Sequence, residues 1–524
     1  MITFRRAFSL TTLSCAALLL AVSADASLFG GGGEGDGYPD KGKAIELLKP
    51  AADYSGMLTD RPRTLGIMRA RAQGFVPSPA LHDYVKGVML KLLAGINLPP
   101  SFQPEVRILA APEFAGECTP DGTLIITVGL LEKLDNEDEL AFVLGHELAH
   151  AIYRHRIADW YKKSQLYAVV NGAAVDQVGI STAVAVSGAN AGQVARGLDF
   201  AQHLLKLSAN VLTPQFEKGQ EDAADALGFD MMVKAGYSTD AANSVLDKLA
   251  EQEREAKAAA DAARAAAQRD NGSGGGPVAN VFNAIGGVSG LLSLSQGHVS
   301  TQQIEDVGLT VFDAAVDSMA EDATTHHPAK EREKLLAAYE FREYRDTLPA
   351  TPKPLPWKGA HPANPALAQL IAHYGDAENA AAYVADANAG SASSAKADAQ
   401  RAITAPTSNH AYTEYVVAEL YDQEKNSAQS EAALLRAVNG PEPSWAVYSR
   451  LANIYIARGE WAKAQALMDQ ANARFDNSPV LLPMRIKVLA GAGRSSEAQA
   501  LVAQCKSYDI DELDAECKKA AGQG

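Results

Sequence analysis

His146-Glu147-Leu148-Ala149-His150 sets two imidazoles one helical turn apart with a carboxylate beside them. Residues four apart share a helix face, so both histidines can reach one metal ion while Glu147 faces the same cavity. Two neutral imidazoles and one carboxylate suit zinc and leave a fourth position for water, which the ion acidifies and Glu147 can deprotonate as general base. The candidate third ligand is Glu221, in the run Glu221-Asp222-Ala223-Ala224-Asp225. Asp225, one turn further on, can accept a hydrogen bond from a ligand histidine and fix its tautomer. Taken alone, the five-residue motif arises by chance in roughly one chain of this length in a hundred. The acidic run, taken alone, reads as a solvated helix face.

These residues need elements to hold them. Asp135 to His155 reads as one helix: Asn136 caps it, Glu137 and Glu139 suit its positive end, and Leu140, Val143, Leu144 and Leu148 form the buried stripe. A second helix from about Gln220 to Ala235 carries Glu221 and ends at Ala235-Gly236-Tyr237. Upstream, Leu81, Tyr84, Val85, Val88, Met89 and Leu92 mark an amphipathic helix. Val106–Leu109 and Leu124–Val128 are branched-rich strands around the turn signal Pro120-Asp121-Gly122, which predicts a small sheet. The strand Thr123–Thr127 is a candidate to accept an extended substrate by β-addition, a mode that favours unfolded or flexible chains.

Between Ile157 and Phe216 the chain is rich in Ala, Gly and Val, with no unbroken run long enough to span a bilayer. A helical hairpin fits this stretch, either as ordinary packed helices or as a lid or peripheral membrane contact. Glu251–Gln268 reads as an alanine-rich charged helix, and Asn271–Gly276 with the Gly-rich run to Gly297 as mobile linker. Thr347–Pro365 holds six prolines, which predicts an extended connector outside either core. Beyond it a period of 34 aligns Tyr421 with Tyr455 and Leu489, Gly459 with Gly493, and Ala464 with Ala498. The pattern, about three repeats from His410 to Asp511, resembles tetratricopeptide repeats, with Lys425 and Ser430 breaking it in the first. A plain helical domain is the alternative. The expected division is 1–26 signal peptide, 27–346 catalytic domain with mobile segments near 157–216 and 269–297, 347–365 linker, and 366–524 repeat domain.

With 524 residues, 47% hydrophobic and 21% charged, the chain is globular and long enough for two or three domains. A formal charge of −16 and a pI near 5.2 argue against a nucleic-acid partner. Two arginines precede a mostly apolar run from Ala7 to Val22 that ends near Ala24-Asp25-Ala26, the pattern of a cleavable export signal. Cleavage before Ser27 removes two positive charges and one negative and takes −16 to −17. Export removes Cys15 and leaves Cys118, Cys505 and Cys517 where disulfides persist. Cys505 and Cys517 are read equally as a bridge or as two thiols. Cys118 is read as a buried structural thiol, with zinc ligation the lesser alternative.

On these residues the chain resembles the gluzincin peptidases of the CaaX-prenyl-endopeptidase type, particularly the soluble periplasmic BepA-like members. The matching positions are Gly129-Leu130, Asn136 to Ala141, Gly145 to His150, Arg154-His155, Glu221 to Asp225 with Gly228, and Ala235-Gly236-Tyr237. Thr325-His326-His327-Pro328 with Arg332 resembles the family's Thr-His-Pro segment. Where the family usually has an Asn-Ala pair and glycines, Pro112 to Thr119 differs. The resemblance implies an α+β, mostly α fold: a gluzincin-type zinc protease domain with a small sheet and active-site helices, then an α-helical repeat domain. It implies one Zn2+ per chain on His146, His150 and Glu221, catalysis by Glu147, support from Asp225, and His327 as gating ligand in the open zinc position. The alternative for His326 and His327 is that they begin a helix. The expected function is a periplasmic zinc endopeptidase acting on unfolded or misassembled envelope proteins, with outer-membrane assembly machinery as partner. The competing reading is a chaperone or scaffold whose repeats carry the function, with a latent or structural zinc site.

Overall fold

A computed structural model describes residues 37–69, 74–155, 160, 164, 216–254, 327–347, 350–385 and 390–522. The expected export signal, nearly all of the expected Ile157–Phe216 hairpin, the end of the expected Glu251–Gln268 helix, the expected linker at Asn271–Gly297 and Thr325-His326 lie outside them. The fold is mostly helical with one small mixed sheet. No described helix is long and apolar enough to cross a membrane.

Helix α1 (Arg61–Arg69) leads to α2 (Pro79–Leu93), which starts where Ser78 accepts from the Leu81 amide and Pro79 fills the first turn. The sheet follows, with β1 (Glu105–Leu109), β2 (Gly116–Cys118) and β3 (Thr123–Thr127) in the order β1-β3-β2. β1 runs parallel to β3 in the register Val106 to Leu124, and β2 runs antiparallel with Glu117 opposite Ile125. This corrects one expectation. β3 is central, its five residues are all buried and both its ladders are occupied, so Thr123–Thr127 has no free edge for a substrate strand. Among the described residues β2 pairs with β3 on one side.

Helix α3 (Val128–Lys133) leaves β3 directly, and α4 (Glu137–Tyr153) carries the histidine motif. Asn136 caps α4 by accepting from Glu139 N at 2.9 Å, and Arg154, at φ 56°, ends it in the left-handed region. Apart from Glu137 every residue of α4 is buried. α5 (Lys218–Lys234) begins with a capping box between Glu217 and Gln220 and crosses α4; α6 (240–254) follows, and α7 (Ala329–Tyr344) packs on α5.

The described part of the proline-rich segment is extended from Thr351 to Leu355 and turns at Pro356-Trp357, and it is not outside the cores. Lys353 O accepts from Glu137 N at 2.7 Å, Lys353 N donates to Asp138 Oδ2 at 2.7 Å, and Pro354 bridges to Asn136. Leu355 and Trp357 are buried with Leu130, Leu131 and Leu140. Two apolar side chains between prolines offset the cost of ordering a stiff chain against the first turn of α4.

Helix α8 (Pro365–Ala385) serves two cores. Leu367, Leu370, Ile371 and Tyr374 join the core of the sheet and α4, while Ala377, Ala380 and Val384 join that of the later helices. α8 pairs with α9 (Ala392–Ala402), α10 (Ala411–Gln423) with α11 (Ser427–Val438), α12 (Trp445–Ala457) with α13 (Trp461–Arg474), and α14 (Leu482–Gly491) with α15 (Ser495–Cys505). α16 (Asp511–Ala520) closes the stack, and Cys505 and Cys517 are joined by a disulfide.

The period of 34 is physical. The carbonyls of Tyr421, Tyr455 and Leu489 each accept from the amide five residues on, at 2.8–2.9 Å. The residue before each such amide has a positive φ: Lys425 59°, Gly459 68° and Gly493 77°. Ser430, Ala464 and Ala498 are all buried where helices meet. The first repeat thus holds the register although Lys425 and Ser430 depart from its residue types.

Candidate metal centre

Two glycines let α4 and α5 cross at backbone contact. A Cβ on Gly228 would lie 2.6 Å from His146 N, and one on Gly145 would lie 2.8 Å from Gly228 O. The crossing therefore sits one residue from His146 and two helical turns from Glu221, and it sets the distance between the two halves of the site.

Within that frame three donor atoms converge. His146 Nε2 and His150 Nε2 are 3.1 Å apart, Glu221 Oε2 is 3.5 Å from the first, and Glu221 Oε1 is 3.6 Å from the second. Donors bound at about 2.1 Å to one tetrahedral ion stand about 3.4 Å apart, so the set fits zinc. Among the described residues no other His, Cys, Asp or Glu joins this group. All three side chains are buried.

Supporting contacts fix the donors. Asp225 Oδ1 lies 2.9 Å from His146 Nδ1, which leaves Nε2 to face the other donors. Arg332 on α7 donates to Asp225 through Nε at 2.9 Å and Nη2 at 2.7 Å, and its Nη1 lies 3.0 Å from Glu221 Oε2. His150 stacks on Phe216 at 3.6 Å between centroids, and its Nδ1 lies 2.9 Å from His155 Nδ1.

Charge is organised around the same point. Burial raises the carboxyls of Glu221 and Asp225, but Arg332 and His146 outweigh it and hold both well below the ordinary range. Burial disfavours the His146 imidazolium, yet its bonds to Asp225 and Glu221 win and raise it to about 10. Metal binding at Nε2 requires that this proton leave. His150 is pushed down, by burial first and then by His146. Burial raises Glu147 to about 7, with Glu221 and Glu117 adding to it against His146. Its Oε2 is buried without a hydrogen-bond partner among the described residues, and Gly116 of β2 leaves room beside Oε1, where a Cβ would come to 3.2 Å.

The structure thus brings His146, His150, Glu221, Glu147 and Asp225 together. It does not bring His327, whose Nε2 is 3.6 Å from Asp222 Oδ2 and whose Nδ1 is 3.2 Å from Glu331 Oε2 at the start of α7. Cys118 is buried and free, with its thiol 3.5 Å from Thr119 O and raised by burial and by Glu147; it is not in the donor group. Sequence reasoning gave Arg332 no role. The signal was present: two buried acids one turn apart, Glu221 and Asp225, require a cation, and Arg332 follows the Thr-His-Pro-like segment.

A helix pair presenting two histidines, a glutamate and an unpartnered buried glutamate around one point defines the metallopeptidase class of the His-Glu-x-x-His type. Residues 79–339 match the model of peptidase family M48, and this part of the chain is an M48 metallopeptidase domain. Similar proteins include the mitochondrial metalloendopeptidase OMA1 of Arabidopsis thaliana, 28% identical over 145 residues, which are 28% of this chain and 25% of that protein. The beta-barrel assembly-enhancing protease of Yersinia pestis is 28% identical over 133 residues, 25% of each chain. The metalloprotease YcaL of Escherichia coli (strain K12) is 31% identical over 121 residues, 23% of this chain and 40% of that protein. The chain thus spans a quarter of the length of the first two relatives and two fifths of the third.

Proposed function

We propose that the chain is a zinc metalloendopeptidase of the bacterial periplasm that cleaves unfolded or misassembled envelope proteins. The observation that carries this is the convergence of His146, His150 and Glu221 at 3.1–3.6 Å beside the buried Glu147 carboxylate, whose Oε2 has no partner among the described residues. When bound, zinc supplies Lewis acidity that polarises the scissile carbonyl and acidifies water. The rest is the work of this chain. Glu147, raised to about 7, accepts the water proton and returns it to the leaving amine. Asp225 holds the His146 ring, and Arg332 holds Asp225 and Glu221. The side of β2 away from β3, passing Glu147 at Gly116, suits an extended peptide added as a strand.

The period of 34 with recurring positive-φ caps supports a tetratricopeptide-like stack that engages substrate or partner proteins. The arginines and apolar run of residues 1–26, read as an export signal, support periplasmic location, and the name of the Yersinia pestis relative supports a partner in outer-membrane assembly. Glu147→Gln tests the mechanism with casein as unfolded substrate and zinc content measured in parallel. The variant is expected to keep zinc and lose turnover by at least ~100-fold. Unchanged cleavage would sink the mechanism, and a wild type that holds zinc but cleaves nothing would favour a binding or chaperone role.

A further inference from the structure

The segment before the part matched by the peptidase family, residues 37–47, is fastened across the two helices that carry Glu221 and Arg332. Gly37 N donates to Gly219 O at 2.7 Å, two residues before Glu221. Pro39 O accepts from Arg342 Nη2 at 2.7 Å, Ala44 N donates to Tyr339 Oη at 2.8 Å, and Ile45 N donates to Asp230 Oδ2 at 2.9 Å. Lys43 Nζ stands 4.2 Å over the Tyr344 ring. The segment is held at both ends by α5, through Gly219 and Asp230, and between them by α7, through Arg342, Tyr344 and Tyr339. The segment therefore sets how the two helices sit together.

Tyr38 follows Gly37, where the segment is tied to the first turn of α5, and its own contact is with α7. Its ring packs on Tyr339 at 5.5 Å between centroids, and its hydroxyl is buried without a hydrogen-bond partner among the described residues. The phenol lies in the field of Asp225, Arg332 and Asp222; burial first, and then Asp225, push its ionisation far up, so it stays neutral. The ring packs on the helix that also carries Arg332, so what seats Tyr339 seats Arg332 two turns before it.

We propose that residues 37–47 are a positioning strap for the metal centre, with Tyr38 a positioning residue that seats α7 on α5 and so acts on Glu221 and His146 through Arg332 and Asp225. This rests on the zinc-peptidase reading above. The argument requires the ring and not the hydroxyl, because the hydroxyl has no partner to lose.

The test compares full-length wild type, Tyr38→Phe and Tyr38→Ala by zinc competition with a chelator, by kcat and KM on casein, and by amide exchange at 221–225. Tyr38→Phe is expected to match wild type. Tyr38→Ala is expected to bind zinc on the order of ten-fold more weakly, the usual effect of removing support behind a ligand. Its kcat should fall with KM unchanged, and exchange at 221–225 should quicken. Tyr38→Leu, which keeps apolar bulk, takes its place with a smaller loss if the alanine variant does not fold. Wild-type zinc affinity, kcat and exchange in the alanine or leucine variant would overturn the strap. A wild type whose zinc does not depend on His146 and His150 would instead refute the zinc-peptidase reading, and the exchange measurement, which needs no metal, would still decide on the strap.

Discussion

Gly228→Ala puts one methyl group between α4 and α5. The new Cβ would stand 2.6 Å from His146 N and 2.8 Å from Gly145 C. Comfortable non-bonded contact begins at about 3.5 Å, so the helices must part by about 1 Å. Both neighbours are backbone atoms in the middle of a buried helix, and neither can rotate away. Overpacking of this kind costs about 1–3 kcal/mol of stability. The effect on the metal centre is larger in proportion, because ligand distances tolerate only about 0.2 Å. His146 is the residue struck, and Glu221, on the displaced helix, now stands 3.5 and 3.6 Å from its two partners. Zinc affinity is expected to fall roughly ten- to hundred-fold, as read by chelator competition, with a lower melting temperature. A variant that folds and binds zinc as tightly as wild type would refute the reasoning, since it would show slack at the crossing.

Two further outcomes concern stability. Burial raises Asp230 to about 6 although Ile45 N, Tyr344 and Tyr339 hydrogen-bond it, so its protonated form is the one the fold favours. Its contribution is full below about pH 4 and lost as pH rises through 6, an effect of about 3 kcal/mol. Asp230→Asn should therefore gain about that much relative to wild type between pH 4 and pH 7 in urea titrations, and a pH-independent difference would contradict it. Lys425 occupies the left-handed position that glycine holds in the next two repeats, so Lys425→Gly should raise stability by about 1 kcal/mol in thermal unfolding. A lower melting temperature would show that the Lys425 side chain does more than tolerate its backbone.

What could be read from sequence was what is local or periodic. The His146–His150 spacing, the Asn136 cap and the Glu221–Asp225 turn are each contained within one helix, and the structure places them on α4 and α5 within about two residues of the expected ends. The period of 34 survived residue changes at Lys425 and Ser430, because the cap needs a backbone angle and the packing site needs only a small side chain. What sequence missed depends on which distant segments meet. β3 looks like an edge strand until β1 and β2 flank it, and the prolines of 349–356 look like a linker until Leu355 and Trp357 fill the core. Arg332 lies 107 residues from Asp225, and nothing in either neighbourhood announces their ion pair. The pairing of Cys505 with Cys517 was open for the same reason, since it depends on how α15 meets α16.

Helix α8 carries a consequence for any attempt to divide this protein. The change from one core to the other falls between Tyr374 and Ala377, inside a continuous helix. A helix bends far less readily than a loop, so the repeat stack is joined to the peptidase unit as a beam is built into a wall. A load on the repeats reaches Leu367, Leu370 and Ile371 without passing through a joint. A cut before Pro365 strips those side chains from the peptidase core, and a cut after Ala385 leaves the stack without Ala377, Ala380 and Val384. In mechanical terms the two units share one member, and neither has a complete surface without it.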